Sequence, residues 1–136
     1  METYTTKVKR LTGSTYNDVY PKAKALYKVI EARTKRRPYV RSVYFKKEKI
    51  FLDYFWNHLQ GKNWKDRFRR LQQYPCALDL LKNSHSVPFS KENPEKHSET
   101  LYRFKGINGN GEIFFVQIKE DRRNGKKDFM SVFPED

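Results

Sequence analysis

Thiols are nearly absent from this chain. Of its 136 residues only Cys76 is a cysteine, so no internal disulfide can form, and no Cys/His cluster has zinc-finger spacing. Chains built without disulfides belong in a reducing compartment, and a cytoplasmic location is the expectation. Long apolar runs are missing too: nothing approaches the ~18 residues that a membrane span needs. The opening METYTTKVKR carries basic residues with no apolar stretch behind them, so no secretion signal is expected. Repeats and low-complexity tracts do not occur. There is no Walker loop, no pair of carboxylates at metal spacing and no Ser-His-Asp order, so neither a metal nor a cofactor is expected.

Positive charge, by contrast, is plentiful. Lys and Arg number 29 against 16 Asp and Glu, for a formal charge of +13, and aromatics make up 15% of a chain that is 37% hydrophobic. These figures describe one small domain with an aromatic-rich core. The charge is uneven: residues 1–34 carry +4, residues 35–87 carry +9, and residues 88–136 are neutral. Arg36, Arg37, Arg41, Arg69 and Arg70 belong to the basic middle. Singly, such residues are ordinary solvated surface; as a group they are the footprint of a polyanion binder, because each neutralised phosphate releases counterions.

Periodicity divides the chain into a mobile basic arm over 1–15 and one domain over 16–136. Its helical part runs over 16–82 and its sheet over 98–136. A first helix starts at Asn17 or Asp18, with Pro21 in its first turn, and fades at Thr34. Arg33 to Arg41 is a basic connector, with a possible edge strand around Pro38 to Tyr44. Ile50, Phe51, Tyr54, Phe55 and Leu59 predict a second helix from Phe45 to Gln60. Asn63 starts a third, and Pro75 separates off a short fourth over Cys76 to Lys82. Asn83 to His97 reads as loop. Three strands follow, Thr100 to Ile107, Glu112 to Lys119 and Lys127 to Phe133, joined by turns at Asn108-Gly-Asn-Gly111 and Asn124-Gly125. The expected fold is α+β, N-terminal helices packed on a C-terminal antiparallel meander of three to four strands.

Strand parity then sorts side chains into faces. Tyr102 and Phe104 share one face with Phe114, Val116, Ile118, Met130 and Val132. The opposite face takes Arg103, Lys105, Gln117, Lys119 and Ser131, flanked by Phe115, Phe129 and Phe133. Guanidinium and ammonium groups suit a phosphodiester, and aromatic rings can stack bases of a single strand. A polar outer face is also what any half-covered antiparallel sheet shows. Of the three histidines, His97 lies in polar loop and is the candidate acid or base, His85 ranks second, and His58 sits beside apolar helix neighbours as a structural residue. Glu99 can serve as base or simply pair with Arg103.

Several segments carry a resemblance: Tyr74-Pro-Cys-Ala-Leu-Asp79, Ser90-Lys-Glu-Asn-Pro94, Glu99-Thr-Leu-Tyr-Arg-Phe104, Val116-Gln-Ile-Lys-Glu120 and Ser131-Val-Phe-Pro134. Over about residues 38–136 the chain resembles small nuclease-like proteins of phages and other mobile elements, in the barnase, EndoU, colicin and RelE superfamily of metal-independent ribonucleases. The resemblance implies N-terminal helices with a four-stranded antiparallel sheet. It also implies a toxin or effector that cleaves RNA, with ribosome-bound or transfer RNA as the candidate targets, by attack of the ribose 2′-hydroxyl on the phosphodiester. Carried onto this sequence, His97 or Glu99 moves protons, Arg103 and Lys119 hold the phosphate, and Gln117 and Ser131 orient it. Two other readings stay open: a non-catalytic nucleic-acid-binding regulator, and a basic module that docks an acidic protein such as an antitoxin.

Overall fold

The computed structural model describes all 136 residues. Asn63 and Pro75 mark helix starts as expected, but the first helix is capped by Thr15 and not by Asn17 or Asp18. In α1 (Tyr16–Arg33) the Thr15 hydroxyl accepts from the Asp18 amide and the Asp18 carboxylate accepts from the Thr15 amide, a reciprocal capping box that holds the first turn. Asn63 caps α3 (Trp64–Gln72) by accepting from the Asp66 amide at 2.9 Å. Helix α4 (Tyr74–Asn83) carries Pro75 in its first turn, where a missing N–H is harmless.

The second helix is shorter than its periodicity predicts. Lys46 and Lys47 both adopt left-handed backbone, with φ of 56° and 66°, which no right-handed helix can contain. They close a turn in which the Lys47 amide donates to the Ser42 carbonyl at 2.7 Å. This turn joins strands β2 (Tyr39–Ser42) and β3 (Glu48–Phe51), and only then does α2 (Asp53–Gln60) begin. Ile50 and Phe51 thus belong to a strand, and the short apolar run Ile50-Phe51-Leu52 satisfies either period.

The C-terminal half does not form a three- or four-stranded antiparallel meander. Strands β4 (Phe89–Asn93), β5 (Lys96–Ile107), β6 (Ile113–Asp121) and β7 (Lys126–Pro134) do pair antiparallel in succession. They stand, however, inside a seven-stranded mixed sheet of order β1-β5-β6-β7-β3-β2, with β4 also on the edge of β5. Residues 89–93 and 96–99, expected as loop, are strand. Residues 3–5, expected within a mobile arm, form β1 and pair parallel with Lys105 to Ile107. The arm is held further along its length. The Gly109 amide donates to the Val8 carbonyl at 2.7 Å, and a Cβ on Gly109 would stand 2.2 Å from the Lys7 carbonyl oxygen, so a glycine is needed for that approach. β3 lies parallel to β7, but only at Ile50↔Lys127 and Phe51↔Asp128. Parallel neighbours require long crossovers, and the helices supply them.

Helices α2 and α3 pack along β7, while α4 packs against β2 and β6. Beneath them Phe104, Phe114, Val116, Ile118, Phe129 and Val132 are buried on one sheet face. Phe55 of α2 stacks on Phe129 with centroids 4.8 Å apart. Phe129 reaches this face because the pairing slips: Gln117 faces Ser131 but Ile118 faces Phe129, leaving Met130 as an extra residue. The bulge overturns the parity expectation for the last strand. Phe129 is core and is not available to a base, whereas Ser131 and Phe133 stay on the opposite face.

Candidate functional site

Register lays out the open sheet face as a grid. One row crosses four strands as Phe89, Arg103, Gln117 and Ser131. The next runs Lys91, Leu101, Lys119 and Asp128, and on the other side Lys105, Phe115 and Phe133 form a third. Residues directly opposite lie on the same face, so Arg103, Lys105, Gln117, Lys119 and Ser131 share one surface. The Ser131 hydroxyl donates to the Gln117 Oε1 at 3.3 Å, which leaves the Gln117 amide N–H groups as donors. Phe115 and Phe133 stack at 5.5 Å.

The helices extend this surface past the edge of β7. Tyr54 and His58 are one turn apart on α2, with rings 5.8 Å apart and nearly parallel. Lys119 from the sheet sets its ammonium 3.9 Å from the Tyr54 ring centroid. Arg70 on α3 and Arg103 on β5 each stand 5.4 Å from the ring of Phe133. Neither guanidinium makes an ion pair. Arg70 is half-buried, and that burial lowers its pKa, although a guanidinium stays charged at any accessible pH.

His58 is the histidine these cations surround. Burial pushes its pKa down, and the charges of Lys62, Arg70 and Lys119 push it in the same direction. The ring is therefore held neutral near pH 7, and neither nitrogen is hydrogen-bonded within the chain, so one can accept a proton from outside. Sequence reasoning treated His58 as structural. The available signal was the i, i+4 pair Tyr54 and His58, two rings with polar tips flanking an otherwise apolar stripe.

His97 lies elsewhere, at the tip of the β4–β5 hairpin. Its Nδ1 is 2.9 Å from Glu92 Oε2, its side chain is 80% exposed, and Arg122 holds the other oxygen of the same carboxylate at 2.7 Å. Glu99 is buried, accepting from Asn93 at 3.1 Å, with Lys96 at 3.5 Å and Lys119 at 3.7 Å. It anchors Lys119 and does not touch Arg103. His85 is exposed in the segment between α4 and β4.

The basic middle divides into free and committed cations. Arg37 is clamped between Asp53 at 2.6 Å and Asp128 at 3.1 Å, with its guanidinium carbon 4.5 Å from the Phe51 ring. Arg69 pairs with Asp136 and Asp66. Arg41 donates to the Lys47 carbonyl at 3.0 Å, bracing the β2–β3 turn, and flanks the Tyr39 ring opposite Lys49. Arg36 is exposed in the connector. These commitments depend on contacts distant in sequence, which charge counting cannot see.

No group of three or more His, Cys, Asp or Glu side chains converges in metal-ligand geometry. No helix is long and apolar enough to cross a membrane. No protein-family model, curated protein or solved structure matches the chain.

Proposed function

We propose that this chain is an endoribonuclease of toxin or effector type that cleaves single-stranded RNA on the open sheet face without a metal ion. The observation that carries the reading is the neutral, unpartnered His58 beside Lys119 and the unpaired Arg70, with the unpaired Arg103 on the same Phe133 ring as Arg70. In the reaction, His58 takes the proton of a ribose 2′-hydroxyl. The freed oxygen bonds to the adjacent phosphorus, the bond from phosphorus to the 5′-oxygen breaks, and the departing oxygen takes a proton from solvent. A cyclic phosphate and a 5′-hydroxyl result. Negative charge grows on the non-bridging oxygens as the fifth bond forms, and Arg103 and Lys119, with the Gln117 amide N–H as a neutral donor oriented by the buried Ser131 hydroxyl, stabilise it there. Cations fixed in a partly dry site act more strongly than the same charges in water.

Incubation of labelled RNA with purified protein in EDTA, with end analysis of the products, tests this reading. Cyclic-phosphate ends that disappear in a combined His58→Gln and Arg103→Ala variant are the expected result. Equal product from wild type and that variant would sink the proposal.

A further inference from the structure

The open face has a ring that packing does not explain. Pro88 is buried and directs the chain into β4, whose first residue, Phe89, keeps 54% of its surface in water. Core packing does not use it, and no strand covers the outer side of β4. Across from Phe89 lies Arg103, then Gln117, then Ser131. Ring, guanidinium, amide and hydroxyl are thus carried in one row by four successive strands, which stand about 4.8 Å apart. Between them is a hollow lined by Phe89, Lys91, Leu101, Tyr102, Arg103 and Gln117. It adjoins the phosphate-holding groups without overlapping Lys119 or His58.

We propose that this hollow is a nucleobase subsite, taking the base that neighbours the reacting phosphate of a single RNA strand. The subsite rests on the ribonuclease reading for its place beside the phosphate, and on its own features for what it binds. An exposed aromatic face stacks any base, because every base has a π-face. The Arg103 plane borders the same space, Lys91 adds a cation for the strand's backbone, and the Gln117 amide has donors left for a base edge. A paired base inside a duplex offers neither its face nor its pairing edge, so the occupant is single-stranded.

The probe is a short 2′-O-methyl oligonucleotide, which cannot be cleaved, in a series with one abasic nucleotide moved along the strand. For the wild type, affinity should fall about tenfold when the abasic nucleotide reaches one particular position. Phe89→Ala should bind every member of the series alike, with an unchanged thermal midpoint, and Phe89→Tyr should regain the positional loss. Equal affinity of the wild type across the series, or a positional loss that persists in Phe89→Ala, overturns the subsite. Cleavage of unmodified RNA in EDTA is measured alongside. Cleavage without positional loss removes the subsite and keeps the ribonuclease; positional loss without cleavage keeps a base-binding hollow and removes the ribonuclease. Absence of any binding by the wild type overturns both.

Discussion

On the covered face of the sheet, Val116, Ile118 and Phe129 meet the helices, and Phe104 packs against Tyr44 and Phe45 of the β2–β3 turn. On the open face, one pleat away, Arg103, Gln117, Lys119 and Phe89 meet water, and two guanidinium groups share the ring of Phe133 without either making an ion pair. The same strands build both faces, so the difference lies in what the rest of the chain brings to each. Helix α2 touches both: Phe55 and Leu59 close the core while Tyr54 and His58 border the open surface. Charge left unneutralised on a well-packed scaffold is what a site for an anion requires, because packing on one face holds the cations in place on the other.

The contrast can be broken from either side. The largest change is expected from His58→Gln, which should lower RNA cleavage by about 10²–10⁴-fold while leaving the denaturation midpoint close to that of the wild type. His97→Ala, at an exposed ion pair, should alter cleavage by no more than about twofold; a reversal of these two results would return proton transfer to the hairpin tip. On the covered face, Phe55→Ala removes the ring stacked on Phe129 and should cost about 3–5 kcal/mol in denaturant unfolding.

Smaller effects separate committed from free cations. Arg37→Met strands the Asp128 carboxylate, which is only 10% exposed, and should cost about 1–3 kcal/mol of stability without changing the salt dependence of RNA binding. Arg103→Ala should do the reverse, reducing the slope of log affinity against log salt by about 0.7, one phosphate contact to a single strand, with stability kept. The smallest effect is on stability against pH. Folding lowers the pKa of His58 below its ordinary 6.5, so the unfolded chain binds the proton more readily. Stability should therefore decline as pH falls through 6.5 and level off below the folded pKa, and His58→Gln should flatten that decline. A wild-type profile that rises on acidification through this window would contradict the assigned environment.

Much of the helical half was legible because its signals are local. Asn63 and Pro75 set helix starts through a side-chain cap and a missing N–H, and the two Asn/Gly turns set hairpins within a few residues. The Thr15–Asp18 capping box is as local, although the sequence pattern points to Asn17 or Asp18 as the cap. Strand β1 was not legible, since it pairs in parallel with a partner far along the chain and nothing in Thr3 to Thr5 names that partner, and β3 was missed because Ile50-Phe51-Leu52 fits a helical stripe as well as a strand. On the candidate site, alternation alone gathered Arg103, Lys105, Gln117, Lys119 and Ser131. It misassigned Phe129 because a single extra residue at Met130 inverts parity from that point. His58 and Arg70 come from helices whose placement against β7 is a tertiary event, and Phe89 came from a stretch too polar to read as strand.

By itself the sequence determined the existence of four helices, the two Asn/Gly hairpins, that the core is aromatic, and that one sheet face is cationic. Those properties follow from bonding and side-chain alternation within a few residues. Which of the cations remain unpaired was decided only in the folded molecule, where Asp53 and Asp128 claim Arg37, Asp136 claims Arg69, and Arg70 and Arg103 find only a ring. Electrostatic pairing acts over a few ångströms of space whatever the distance along the chain, so an excess of +13 becomes a site only where folding leaves part of it without a partner.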